Sequence, residues 1–297
     1  MKTPRKNSSA AFWFLLPMVS CLVIFQLYPI VLNLIYSLLN WNGISSTANF
    51  IGLANYISLF QDAQFWNALK NSLLYSITAT ALQMGISFGL AYLVEYGPIQ
   101  QKGFFRVIFI LPIVASSAAV GMIFKTLFSY DGMVNAGLNL FGVPSVSWLS
   151  SPFWAFVLIL IVSVWKETGT LFIYWMAGFK TVSTDVIEAA KVDGLSSSGM
   201  LRRIFLPLMK PVIVLVGFIT FVNSLKAFDL IQTLTGGGPY FATDMLSTFI
   251  YQTAFNSAMA APRMSYAASA AIVVVLVPMV LYGLFKLVRS SLERSRS

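Results

Sequence analysis

Long apolar runs alternate with short polar segments along the whole chain. Six runs hold few charged side chains, and they cover residues 11–39, 71–94, 105–124, 153–178, 211–229 and 265–288. Lipid cannot satisfy backbone N–H and C=O groups, so a membrane span must hydrogen-bond internally, and about 20 helical residues cross the hydrocarbon core. The pattern therefore predicts an all-α polytopic membrane protein with about six transmembrane helices.

The first run is longer than one span requires, so we expect it to tilt or to kink at Pro17 and Pro29. Its basic N-terminal flank resembles the start of a signal peptide. The apolar stretch nevertheless continues well past residue 21, which favours an uncleaved span. The expected organisation is an N-terminal tail (1–10), a transmembrane domain (11–288) and a C-terminal tail (289–297).

Composition narrows the function classes. Of the 297 residues, 58% are hydrophobic and only 10% are charged, whereas soluble domains carry about 25% charged residues. The chain contains no histidine and a single cysteine, which excludes His-based zinc proteases, Ser-His triads and intrachain disulfides. We therefore predict no catalytic residue and no metal site.

Basic residues are distributed unevenly between the two sides of the predicted bundle. One side holds 14 of the 19: Lys2, Arg5, Lys6, Lys102, Arg106, Lys180, Lys191, Arg202, Arg203, Lys210, Lys286, Arg289, Arg294 and Arg296. Because cytoplasmic loops carry the excess of Lys and Arg, both termini are predicted to be cytoplasmic. The net charge of +9 then reflects membrane topology, and no nucleic-acid partner is needed.

The longest inward connection, residues 179–210, carries most of the internal charge. Asp185 and Glu188 are spaced like a capping box at a helix start. Gly194 is placed to end that short helix, and Ser196 to cap a second helix that stops or bends at Pro207. We expect a compact helix-turn-helix outside the membrane.

The same segment, residues 183–211, carries a spaced set of motif residues: Glu188, Ala189, Ala190, Asp193, Gly194, Ile204, Leu206 and Pro207. This set resembles the EAA loop of importer-type ABC permeases. The resemblance implies the fold of that family, with residues 186–204 forming a coupling helix that docks on a separate ATPase. The alternative is an ordinary solvated amphipathic loop, which would not need the whole spaced set.

Gly194 and Gly199 have the glycine spacing of a phosphate-binding loop, but Met200 and Leu201 follow where Lys and Ser or Thr are required. ATP and Mg are therefore expected on partner ATPase subunits, and this chain is expected to hold no cofactor.

Further matches lie at Gly236–Pro239, Leu27–Pro29 and Asn55–Tyr56. Together with the EAA loop they resemble the carbohydrate-uptake group of ABC permeases, especially the maltose-type first permease. The resemblance implies a prokaryotic inner-membrane importer that moves a sugar or oligosaccharide by alternating access. Its implied partners are a second homologous permease subunit, two ATPase subunits or a homodimer, an extracytoplasmic solute-binding protein, the sugar solute and membrane lipid.

The resemblance also implies a solute site in the fourth and fifth spans, on Ser163, Lys166, Glu167, Thr170, Thr220, Asn223 and Ser224. Trp165 or Phe228 is expected to stack on a sugar ring. Lys166 and Glu167 depart from the neutral maltose-type pattern, so the two charges could instead contact the partner permease.

Other functions fit parts of the sequence. An ABC permease for a polyol or glycerol-phosphate fits the same motifs, whereas the Gly-Gly-Gly-Pro turn disfavours amino acids. An ion-coupled secondary transporter would need an intramembrane carboxylate, for which Glu167 is the one serious candidate. An intramembrane enzyme would need a nucleophile and a base, and no such pair is found.

Overall fold

The computed structural model describes residues 8–255 and 262–294. Most of the predicted N-terminal tail and the last three residues of the predicted C-terminal tail lie outside the described residues. Contacts divide the chain into two compact units, residues 1–62 with 250–297 and residues 63–249.

In chain order the first unit begins with α1 (Ser8–Leu22), a π-helical turn (Val23–Leu27), α2 (Tyr28–Ser37), β1 (Leu39–Asn40), β2 (Asn49–Phe50) and α3 (Ala54–Gln61). The second unit holds α4 (Ala63–Tyr96), α5 (Lys102–Ile110), a 3-10 turn (Leu111–Val114), α6 (Ser117–Leu127), α7 (Met133–Leu140), α8 (Pro152–Phe179), α9 (Thr184–Val192), α10 (Ser197–Met200), a second π-helical turn (Leu201–Phe205), α11 (Leu206–Leu208), α12 (Lys210–Leu225) and α13 (Asp229–Leu234). Helix α14 (Leu246–Phe255) crosses the boundary, and α15 (Met264–Arg294) completes the first unit.

The predicted α-helical membrane fold is confirmed, with a short β1–β2 hairpin and one correction to the spans. Four segments are long and apolar enough to cross a membrane, Trp13–Ser37, Ala63–Tyr96, Pro152–Phe179 and Lys210–Leu234, and Met264–Val280 is a shorter apolar helix. The predicted third span, 105–124, is not one straight helix: Lys102–Val114 and Ser117–Leu127 meet at 96°.

The bend in the third span has a local cause. Pro112 lies in the 3-10 turn, and Ala115 and Ser116 then adopt extended backbone. The hydroxyl of Ser116 accepts a hydrogen bond from Ala119 N–H at 3.2 Å, which caps a new helix in a new direction. The apolar run continues through the bend, so hydrophobicity alone could not locate it.

Both π-helical turns precede a proline by the same offset. Pro29 follows the turn Val23–Leu27, and Pro207 follows the turn Leu201–Phe205. A proline has no N–H to donate, and its ring clashes with the carbonyl four residues earlier, which here lies inside each turn. The wider turn accommodates that carbonyl while the helix continues. The first run is therefore irregular next to Pro29, as predicted, whereas α1 continues through Pro17.

In the first unit, α15 packs against α2 and α3. The side chain of Asn55 donates to Ser37 O (2.9 Å) and Leu39 O (2.8 Å), and Tyr56 Oη donates to Ser37 Oγ (2.8 Å). The Asn55–Tyr56 pair therefore fixes the end of α2 and the start of the hairpin to α3.

The second unit is built around α4, which packs mainly against α8 and α12. One face of α4 carries small and polar buried residues: Ser72, Ser76, Ala79, Gln83, Ser87 and Ala91. Small side chains allow helix backbones to approach closely, and Ser87 Oγ accepts a hydrogen bond from Trp175 Nε1 of α8 at 2.8 Å. Two apolar clusters form the core of this unit, one near each end of α4 and α8.

Candidate functional site

The first candidate site is segment 183–211. Its helix α9 ends in a Schellman motif, in which Leu195 N–H donates to Ala190 O (3.0 Å) and Gly194 N–H donates to Lys191 O (3.0 Å). Gly194 has φ +74°, a backbone conformation that side chains with a Cβ disfavour. Gly194 therefore ends the helix, and Ser196 caps the next one by accepting from Gly199 N–H at 3.2 Å, as the sequence predicts.

The predicted capping box is wrong. Helix α9 begins at Thr184, and its N-cap is Ser183, whose side chain makes no cap hydrogen bond. Asp185 lies in the first turn of the helix. There its negative charge still interacts favourably with the positive end of the helix dipole.

The predicted coupling residues divide into an exposed and a packed set. Glu188, Ala189, Asp193, Gly194, Leu206 and Pro207 are exposed, Ile204 is partly buried and Ala190 is buried. Ile187 and Ala190 lie together on the packed face of α9 and belong to the apolar cluster formed with α4 and α8. The segment thus presents one carboxylate-bearing face outward while its other face is held against the second unit.

Four aromatic rings attach this segment to the helices. The ring centroid of Phe205 lies 4.6 Å from that of Tyr96 and 5.5 Å from those of Tyr92 and Phe179. Phe205 has no exposed surface, and Tyr92 Oη donates to Ser197 O at 2.7 Å. We call Tyr92, Tyr96, Phe179 and Phe205 the aromatic joint. The joint packs segment 183–211 against the ends of α4 and α8.

The second candidate site is a cavity of about 310 Å³ inside the second unit. All seven residues predicted to bind solute line it: Ser163, Lys166, Glu167 and Thr170 from α8, and Thr220, Asn223 and Ser224 from α12. The structure therefore brings together two separated stretches of sequence. Their role in solute binding stays a prediction.

Of the two predicted stacking residues, one lines the cavity. Phe228 does so, at the break between α12 and α13. Trp165 does not, because on an α-helix it points away from the face that holds Ser163 and Glu167. It contacts Phe124 instead, with ring centroids 5.5 Å apart.

The lining also contains residues that the sequence did not single out, chiefly Tyr75 and Gln83 from α4 and Ser117 from α6. The sequence did contain a pattern that indicates the α4 residues. Polar residues at Ser72, Ser76, Gln83 and Ser87 recur along α4 with spacings of one or two helical turns, so they share one face. Polar side chains within a span are costly in lipid, so that face is expected to point into the protein.

Charged side chains also line the cavity. Lys166 Nζ lies 3.5 Å from Glu167 Oε1, and Lys226 and Asp229 lie near the break between α12 and α13. The Lys166 side chain is 11% exposed and that of Glu167 is 43% exposed, so this pair extends from the protein interior towards the opening.

A polar contact region holds the loop after α13 against α4. Asn71 donates to Phe241 O and Asp244 O, both at 3.1 Å, and Leu246 N–H donates to Ser72 Oγ at 2.8 Å. Burial raises the pKa of Asp244 to about 6, although a hydrogen bond from Thr248 opposes the shift. These hydrogen bonds hold the loop on the helix that also lines the cavity.

Comparisons with known proteins indicate the family of this chain. A family model described as the binding-protein-dependent transport system inner membrane component matches residues 101–294. A lactose transport system permease protein of Rhizobium radiobacter is 34% identical over 90% of each chain, and a trehalose/maltose transport system permease protein of Thermococcus litoralis is 28% identical over 84% of this chain and 85% of its own length. A crystal structure of a bacterial alginate ABC transporter, in complex with an alginate pentasaccharide-bound periplasmic protein, contains a chain with TM-score 0.79 and 26% identity, covering 93% of this chain and 92% of its own.

Proposed function

Because the chain belongs to the family of binding-protein-dependent transport system inner membrane components, we propose that it is the permease subunit through which a sugar or oligosaccharide enters the cell. The observation that carries this proposal is the convergence of Ser163, Thr170, Thr220 and other polar side chains on one cavity within membrane-spanning helices. Hydroxyl and amide groups match the hydrogen-bonding needs of sugar hydroxyls. The relatives named for lactose and for trehalose or maltose support the same class of solute.

Segment 183–211 is the site at which an ATPase subunit drives this permease. It lies in the cytosol, with both termini of the chain on the same side, in agreement with the distribution of basic residues. Glu188 on its exposed face offers a charge that a basic group of the ATPase can pair with. ATP and Mg bind to two ATPase subunits or a homodimer, and this chain hydrolyses no ATP. A second homologous permease completes the passage, and an extracytoplasmic binding protein delivers the solute.

The geometry supports a direct mechanical route between the two sites. A displacement of α9 passes through the aromatic joint to the ends of α4 and α8. The same two helices carry Gln83 and Ser163 to the cavity. Closure of the ATPases therefore reshapes the cavity by rigid-body movement of helices, which gives alternating access to the two sides of the membrane.

The experiment uses the whole complex in proteoliposomes: both permeases, the ATPase subunits and the binding protein. Radiolabelled lactose, maltose and trehalose are supplied with the binding protein, and uptake is measured with and without ATP inside the vesicles. We expect uptake of at least one sugar that requires both ATP and the binding protein. Uptake driven by a sodium or proton gradient without the ATPases would overturn the proposal.

Glu188→Ala tests the coupling role within that complex. We expect loss of most sugar uptake, with normal membrane insertion, because the exposed charge faces the ATPase. Asp131→Ala is the matched control, since it also removes an exposed carboxylate but from the opposite connection. Normal uptake by Glu188→Ala would count against the coupling role.

A further inference from the structure

The cavity wall contains one buried amide whose hydrogen bonds are not made. We propose that Gln83 of α4 is a further solute-contacting residue, which selects the solute by hydrogen-bonding to a hydroxyl of an uncharged sugar ring. This inference rests on the proposed function and adds a residue from a third helix to the site.

Gln83 is only 2% exposed, and it lines the cavity. Among the residues that the structure describes, its side chain has no hydrogen-bond partner. Its polar atoms are not among the enclosed polar atoms that lack a partner, so the amide opens onto the cavity and takes its partners from there. In a transport cavity, the group that enters and leaves is the solute, with water in its place when the cavity is empty.

Two hydroxyls near Gln83 in the cavity wall already donate to backbone carbonyls, so donors to a solute must come from other groups. Ser163 Oγ donates its proton to Leu160 O at 3.0 Å, and Thr220 Oγ1 donates to Val216 O at 2.7 Å. Each hydroxyl therefore keeps only acceptor capacity for the cavity. The amide of Gln83 supplies two N–H donors and one acceptor. Ser224, also buried and lining the cavity, likewise has a hydroxyl with no partner in the described part of the chain.

The distribution of charge indicates the class of solute. We call Tyr75, Gln83, Ser163, Thr220 and Ser224 the cavity floor, and all five are buried and carry no formal charge at neutral pH. The charged lining residues Lys226 and Asp229 are exposed, and Lys166 is paired with Glu167. A sugar hydroxyl both donates and accepts, so it can pair with the acceptor oxygens of Ser163 and Thr220 as well as with the amide of Gln83. A carboxylate in the floor would have no counter-charge there.

The test compares the parent sugar with its monodeoxy analogues in the reconstituted complex. The parent is whichever of lactose, maltose and trehalose the wild-type complex takes up fastest. We expect the wild type to discriminate about tenfold or more against one analogue, because removing that hydroxyl leaves the amide unpaired. Gln83→Met, of similar length and without polar atoms, is expected to slow uptake of the parent and to abolish the discrimination against that analogue.

Two further variants separate a contact from a structural effect. Gln83→Leu also removes every polar atom of the side chain, so we expect the same loss of discrimination if Gln83→Met does not assemble. Thr78→Val is the control, because Thr78 lies on the same helix, does not line the cavity and bonds to Leu74 O. It should keep wild-type ratios for every analogue.

The outcomes distinguish this inference from the proposed function. If the wild-type complex takes up no sugar, the proposed function fails before any variant is compared. If the wild type takes up sugar and the variants of Gln83 keep the wild-type ratios, the contact is refuted and the proposed function stands. Faster uptake of alginate oligosaccharides than of any neutral sugar would overturn the assignment of an uncharged ring to the floor.

Discussion

Loosening the aromatic joint should uncouple ATP hydrolysis from transport. Phe205 has no exposed surface, and its ring lies within 5.5 Å of those of Tyr92, Tyr96 and Phe179. Replacing a buried phenylalanine with alanine typically costs about 3–5 kcal/mol, because the apolar contacts are lost and a cavity remains. In Phe205→Ala this loss falls on the contact between segment 183–211 and the ends of α4 and α8.

A loosely packed joint should transmit less of the movement of α9 to α4 and α8. The ATPases would still close and hydrolyse ATP, but part of the displacement of α9 would be absorbed by the enlarged gap instead of reaching the cavity. We therefore expect the number of sugar molecules transported per ATP hydrolysed to fall about tenfold or more in Phe205→Ala. Phe205→Leu, which keeps most of the volume, should give an intermediate value.

Sugar uptake and phosphate release are measured in the same proteoliposomes, and thermal unfolding of the complex is followed in parallel. Phe14→Ala is the matched control, because that ring is 86% exposed in this chain. It should keep the wild-type ratio of transport to hydrolysis. A lower melting temperature in Phe205→Ala with an unchanged ratio would refute the reasoning, since the joint would then contribute only stability.

Substitutions at two other positions give separate tests. At Gly194 (φ +74°) an added Cβ meets nothing within 4 Å, so Gly194→Ala should cost only the backbone term of about 1–2 kcal/mol. Gly194→Pro should abolish uptake, because proline lacks the N–H that donates to Lys191 O and cannot adopt a positive φ. Equal uptake by the alanine and proline variants would contradict this account. Burial raises the pKa of Asp244 from 3.8 to about 6, so its stabilising contribution is full at low pH and is lost as pH rises through 6. In the wild type, the free energy of unfolding should therefore fall by at most about 3 kcal/mol between about pH 4 and pH 7 because of Asp244. Asp244→Asn should abolish this fall, which thermal unfolding at a series of pH values measures. The same pH profile in wild type and variant would contradict the assignment.

The sequence predicted the membrane helices well because their signal is length and hydrophobicity, both of which are set by the bilayer. It also predicted the stop at Gly194 and the cap at Ser196, since each depends on a residue type with one dominant local role. The start of α9 was harder to predict. Ser183, Thr184 and Asp185 are adjacent polar residues, and any of them could begin the helix.

The bend at Ala115 was hidden because Ala115 and Ser116 change to extended backbone inside a run whose hydrophobicity stays high on both sides. The solute site was only partly predictable. Resemblance placed seven residues from α8 and α12, and the structure groups all of them around one cavity. It missed Gln83, since the packing of α4 against α8 decides which polar residue of that helix reaches the cavity.

The 96° bend in the third span also affects which part of the protein surface lipid can contact. A break in a helix leaves backbone groups without the partners that a continuous helix provides. Hydrocarbon cannot supply those partners, so the stretch from Leu111 to Ser116 has to be wetted or sealed by a neighbouring protein surface. Acyl chains are thus expected to avoid the backbone of this short stretch.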